Sequence, residues 1–172
     1  MKRRYLSLLA ILAILTLTSC HKSGVRLFEG DYSFKTSGEI SISVEGQIDS
    51  TDINIPATLD ISLANEVGQL NICSSEKKND NVVVVLNYLN GDVVVTSGTC
   101  NGNTIELSTF QRNVLPVSVS SLLSNFSILV SGNGQMYDDM IIFDMTYKGK
   151  ASIGTVSYKI KGKDVKMVAY RN

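Results

Sequence analysis

The chain has 172 residues, 44% hydrophobic and 19% charged, which suits one domain with a real apolar core and excludes a disordered, highly charged chain. Its 16 basic and 16 acidic residues balance; three of the basic ones fall in the first four positions, so 13 face 16 beyond them, and a nucleic-acid partner, which needs a basic footprint, is excluded. The one histidine is His21 and there is no tryptophan.

In chain order, Met1-Lys2-Arg3-Arg4 opens a basic leader, and residues 5–17 are apolar except for Ser7 and Thr16. A bilayer-spanning helix needs roughly 20 apolar residues, so this run suits a secretory signal better than a membrane span. It ends in Leu17-Thr18-Ser19-Cys20, which resembles the bacterial lipobox. That resemblance implies a signal peptide at residues 1–19, a lipid on the Cys20 thiol, a tether at 20–26 and a single domain at 27–172. The membrane is then a partner through that lipid. No Asp follows Cys20, the mark that often retains such lipoproteins at the inner membrane. The expectation is therefore the outer membrane of a Gram-negative envelope, on either face.

From there the chain reads as strands. Ile40, Ile42 and Val44 alternate with polar neighbours, as do Leu59, Ile61 and Leu63, then Ile141, Phe143, Met145 and Tyr147, then Val156, Tyr158 and Ile160. Residues 82–89 and 93–95 are β-branched apolar runs, and 165–170 reads as a last strand. Asn90-Gly91 and Asn101-Gly102 are hairpin signals, because both residue types tolerate positive φ. Ser131-Gly132-Asn133-Gly134 reads as a further turn, and Leu122, Leu123 and Phe126 hint at one helix. Nine to eleven short strands joined by tight turns predict an all-β fold. The expected form is an antiparallel meander of eight or more strands, closed into a barrel to remove its edges. A β-sandwich is the alternative.

Few residues carry chemistry. His21 lies in the tether, away from any formed pocket, so histidine catalysis and histidine-held zinc are not expected. Asp138, Asp139 and Asp144, and Asp49 and Asp52, read as solvated loops, since adjacent strand residues point to opposite faces. No helix follows the Gly-rich stretch to make a phosphate loop. No catalytic residue, metal ligand or cofactor is assigned, and the chain is not expected to be an enzyme. With Cys20 acylated, Cys73 and Cys100 remain, open between a disulfide of an exported domain and two buried thiols. Lys148, Lys150, Lys159, Lys161, Lys163, Lys166 and Arg171 make the C-terminal part basic, fitting either an anionic partner such as lipid head groups or acidic glycans, or an ordinary solvent-facing wall.

Gly30-Asp31-Tyr32, at the start of the first strand, resembles the opening of lipocalin and calycin barrels, where a Gly precedes an aromatic by two residues. In those families the aromatic plugs the closed end and an Arg from the end of the last strand covers it. Tyr32 and Arg171 stand in those places here, with Tyr replacing the usual Trp and no second lipocalin motif. The whole domain is also similar to small lipocalin-like lipoproteins of gut bacteria. The resemblance implies a barrel able to hold a small apolar ligand, and Ile40, Ile42, Val44, Leu59, Ile61, Phe143 and Met145 are the candidate lining. The alternative is a non-catalytic structural or interaction module of the envelope, with a solid core and a protein partner that the sequence does not name.

Overall fold

Alternation of inward and outward side chains sets nine strands around one core among the described residues. Val82, Val84, Leu86 and Tyr88 are buried along one strand, while Asn81, Val83 and Asn87 between them face out. The computed structural model describes residues 24–45, 58–75, 80–121 and 123–172. Cys20, His21, Asp49 and Asp52 lie outside the described residues. The elements are α1 (Val25–Phe28), β1 (Gly30–Val44), β2 (Thr58–Ser62), β3 (Val67–Ser74), β4 (Asn81–Tyr88), β5 (Val93–Asn101), β6 (Thr104–Gln111), α2 (Val117–Ser120), β7 (Ser124–Tyr137), β8 (Met140–Ile153) and β9 (Val156–Arg171).

Every neighbouring pair is antiparallel, in the order β2-β1-β3-β4-β5-β6-β7-β8-β9, and β1 also pairs with β9. That last pairing runs from Tyr32↔Arg171 to Val44↔Tyr158 and closes the sheet. The result is an eight-stranded up-and-down barrel of lipocalin-like type with β2 as an extra strand. A two-sheet sandwich is thereby ruled out. β2 and β3 lie end to end along β1, β2 against Glu39–Ser43 and β3 against Gly30–Lys35. The Asn90-Gly91 and Asn101-Gly102 turns form as expected, with Gly91 at φ 93° and Gly102 at φ 59°.

The barrel has walls of two heights. β3 to β6 have eight or nine residues each, whereas β1, β7, β8 and β9 have 14 to 16. The difference of about six residues is roughly 20 Å of strand. The tall wall rises past the short one at the end holding the β4–β5 and β8–β9 turns; we call this the open half. The other end, where β1 starts and β9 finishes, is closed by α1.

Two local expectations are corrected, and the open question of Cys73 and Cys100 is answered. Ser131-Gly132-Asn133-Gly134 is the middle of β7, not a turn. Its glycines leave room for neighbours: a Cβ at Gly132 would sit 2.6 Å from Met145 Sδ, and one at Gly134 would sit 2.6 Å from the Phe143 ring. Leu122 lies outside the described residues; where Leu123 and Phe126 hinted at a helix, β7 begins at Ser124, and the single turn α2 ends before them at Ser120. Cys73 and Cys100 do not form a disulfide. Cys73 points outward from β3, Cys100 points inward from β5, and β4 stands between them. Cys73 donates to Asn71 Oδ1 at 2.9 Å, and burial pushes the Cys100 thiol up to about 11.

Candidate functional site

The closed end shows what a completed polar site looks like. Arg171 Nη1 donates to Glu29 O at 2.8 Å, and Nη2 donates to Leu27 O and to Tyr32 Oη, both at 2.6 Å. Tyr32 Oη donates in turn to Phe28 O at 2.8 Å. The guanidinium lies 5.0 Å from the Tyr32 ring centre, and Phe28, the last residue of α1, is fully buried. Gly30 is needed here twice over: its φ is +143°, and a Cβ would come within 3.1 Å of Arg171 Nη1. The Gly, Tyr and Arg singled out in the sequence therefore meet, and they lock α1 over the barrel end. Burial raises the Tyr32 phenol above its ordinary range, with Arg171 opposing.

Above this end the interior is filled. Phe143 is fully buried and Met145 nearly so, and both occupy the space left by Gly134 and Gly132. Phe143 packs in the lower barrel, while Met145 also borders a concave region of about 790 Å³. The other five candidates form one stripe on the inner face of the tall wall, since Ile40 pairs with Ile61 and Ile42 with Leu59. Exposure grows toward the rim: Ile40 and Ile42 are buried, Val44 and Ile61 are half-buried, and Leu59 is 37% exposed. Leu123, Phe126, Ile153 and Val156 are half-buried and packed against the core.

The sequence reading missed Arg112. It follows β6 in the alternation Phe110, Arg112, Val114, which puts a cation on an apolar stripe, and that was the available signal. It is only 5% exposed. Its Nη1 bonds Glu66 Oε2, Nη2 lies 3.7 Å from Asp92 Oδ2, and its guanidinium carbon lies 3.2 Å from the Tyr88 ring centre. Phe34 meets Tyr88 edge-on at 5.1 Å. Burial pushes the Tyr88 phenol up to about 12 although Arg112 opposes it, and it also raises Tyr147. Arg112 Nε and Nη2 make no hydrogen bond among the described residues, and neither does the buried Tyr158 hydroxyl. All three atoms belong to the open half: Arg112 ends the short wall there, and Tyr158 opposes Val44 at the top of the seam.

The wall loosens beside Arg112. The β5–β6 ladder covers only Gly98–Asn101 against Thr104–Leu107. Further along, the strands are linked by Thr96 Oγ1 donating to Ser108 O and by a hydroxyl pair between Ser97 and Ser108. Two concave regions, of about 790 and 610 Å³, lie on the outer wall. Among the described residues no three His, Cys, Asp or Glu side chains gather where they could hold a metal ion. Asp138 and Asp139 form the β7–β8 turn, and Asp144 pairs with Lys166 at 3.6 Å.

No protein-family model matches this chain, and no curated protein does. A solved structure, EF1p2_mFAP2b bound to DFHBI, aligns with 88% of this chain and 99% of its own at 14% sequence identity, with a TM-score of 0.41. So distant a likeness carries nothing about function, and the barrel assignment rests on the strand pairing.

Proposed function

We propose that this is a lipid-anchored protein of the cell envelope, most simply of a Gram-negative outer membrane, which catalyses nothing. Its barrel takes up a small, mostly apolar molecule bearing an oxygen acceptor. One observation carries the binding reading: the buried polar atoms with no hydrogen bond among the described residues, Arg112 Nε and Nη2 and Tyr158 Oη, belong to the open half, beside the apolar stripe of Ile40, Ile42, Val44, Leu59 and Ile61. Burying an unpaired donor costs about 1–3 kcal/mol, and a ligand oxygen removes that cost. The apolar body would lie against the stripe, and the loosened β5–β6 wall offers a way in. The anchor rests on the Leu17-Thr18-Ser19-Cys20 pattern.

The test has two arms. Mass spectrometry of protein taken from membranes should find the N-terminus at an acylated Cys20, and Cys20→Ser should release the chain from the membrane. A fluorescent fatty acid should bind the soluble domain and bind Arg112→Met much more weakly. An unprocessed N-terminus defeats the anchor; fatty-acid binding indifferent to Arg112, or none at all, defeats the ligand site.

A second reading has its own support. Val83, Val93 and Val95 are exposed on the outer face of β4 and β5, with Leu89 79% exposed in the turn between them. An apolar patch of this kind fits a protein-contact surface. A barrel that retains no small molecule, yet loses a partner when Val93 and Val95 become Thr, would favour it.

A further inference from the structure

The outer wall near the β8–β9 turn breaks a common rule of sheets. Lys148 sits directly across from Lys161, and Lys150 directly across from Lys159. Like charges in directly opposed positions repel and cost stability. Nearby lysines are neutralised: Lys163 reaches Asp60 at 2.9 Å, Lys166 reaches Asp144 at 3.6 Å, and Lys150 reaches Glu45 at 3.4 Å. Among the described residues Lys148, Lys159 and Lys161 have no carboxylate partner. Between Asp144 and Lys148 the β8–β9 register shifts, and the four lysines border the groove of about 790 Å³ there.

We propose that this groove binds an acidic glycan strand, with Lys148, Lys159 and Lys161 holding its carboxylate or sulfate groups. The shape and lining select this occupant. A recessed groove fits a strand and not the plane of a bilayer. It also lies at the end of the barrel opposite α1, so on the anchored reading it faces away from the membrane. Peptides seated by strand addition or as a helix in a groove need a free strand edge or apolar side-chain pockets. This groove offers one large exposed apolar side chain, Leu129, together with the hydroxyl residues Ser127 and Thr146, and its strands are paired on both sides of the shifted stretch between Asp144 and Lys148. Hydroxyls and ammonium groups match a charged sugar chain.

The test uses the full chain and a ten-sugar polygalacturonate as probe, followed by titration calorimetry at low salt. Binding is expected to weaken as salt rises. Lys148→Gln with Lys161→Gln should weaken it about tenfold, the effect of losing two charge contacts of roughly 0.7 kcal/mol each. Lys163→Gln with Lys166→Gln, which removes lysines that already have partners, should leave affinity within about twofold. The first double variant should melt no lower than the parent, because it relieves a repulsion, so lost binding cannot be ascribed to misfolding. The proposal falls if the parent ignores the glycan, if both double variants lose binding equally, or if polyglutamate or glycerol phosphate binds as tightly.

Discussion

Each end of the barrel holds an arginine over a tyrosine, and the two pairs do opposite things. Arg171 gives its donors to two backbone carbonyls and the Tyr32 hydroxyl, joining the end of the last strand to α1 and the first strand. Arg112 lies closer to its ring, 3.2 Å against 5.0 Å, and is held chiefly by charge on Glu66 and Asp92, with no hydrogen bond to Nε or Nη2 among the described residues. A guanidinium has five N–H donors in a rigid fork. Where backbone surrounds the fork it works as a clasp. Where side-chain carboxylates hold only part of it, donors remain for something else.

The largest expected effect breaks the ionic pair. Glu66→Gln leaves a buried guanidinium without its carboxylate and should cost about 3 kcal/mol, whereas Arg112→Met combined with Glu66→Leu removes both charges and should fall within about 1 kcal/mol of the parent. Urea midpoints measure both; equal losses in the two variants would mean that the open-end arginine is as structural as the other. Arg171→Leu removes three hydrogen bonds from a charged donor, each worth about 1.5–3 kcal/mol at full strength. Discounted for partial exposure, the expected loss is about 2–3 kcal/mol, with no hydrophobic swap that recovers it.

A smaller effect tests whether the lower barrel is as full as its glycines suggest. Gly134→Ala drives a methyl into the Phe143 ring and should cost about 1–3 kcal/mol. A neutral or stabilising result would reveal free space where Phe143 stands. The smallest effect concerns alkali. Tyr88 keeps its proton to about pH 12, while an unfolded tyrosine loses it near 10. The folded form thus binds the proton more tightly, so this contribution is whole below pH 10 and is lost as the pH climbs toward 12. It amounts to about 2 kcal/mol, and the parent's urea midpoint should drop more steeply above pH 10 than that of Tyr88→Phe.

Much of the fold was legible because period-two alternation is strong in β8, in β9 and in the outer part of β1, and because β4 is a β-branched apolar run. The two Asn-Gly turns were legible because little else suits them. β3 was not read as a strand, since its inward series begins with Gly68 and its outward residues are Gln69, Asn71 and Cys73. β7 was misread for a related reason: Gly132 and Gly134 look like turn residues until Met145 and Phe143 are seen to fill their places. The closed-end clasp could be found from Gly30, Tyr32 and Arg171 by position alone. Arg112 offered only the signal of a cation on an apolar stripe, because its importance depends on which groups face it from Glu66, Tyr88 and Asp92, three positions distant in sequence. Opposed lysines on β8 and β9 likewise emerge only once the register across a bulge is known.

The seam between β1 and β9 is the most distant pairing in the chain, with Arg171 bonding Glu29 across 142 positions, and Asn172 N reaches Asp31 O at 3.0 Å. Beginning and end of the described domain thus lie side by side. A circular permutant that joins them through a short linker, and is cut open at the exposed Asn90-Gly91 turn, should retain the barrel. It would also turn the slowest closure into a local hairpin, so refolding should speed up even if equilibrium stability does not change.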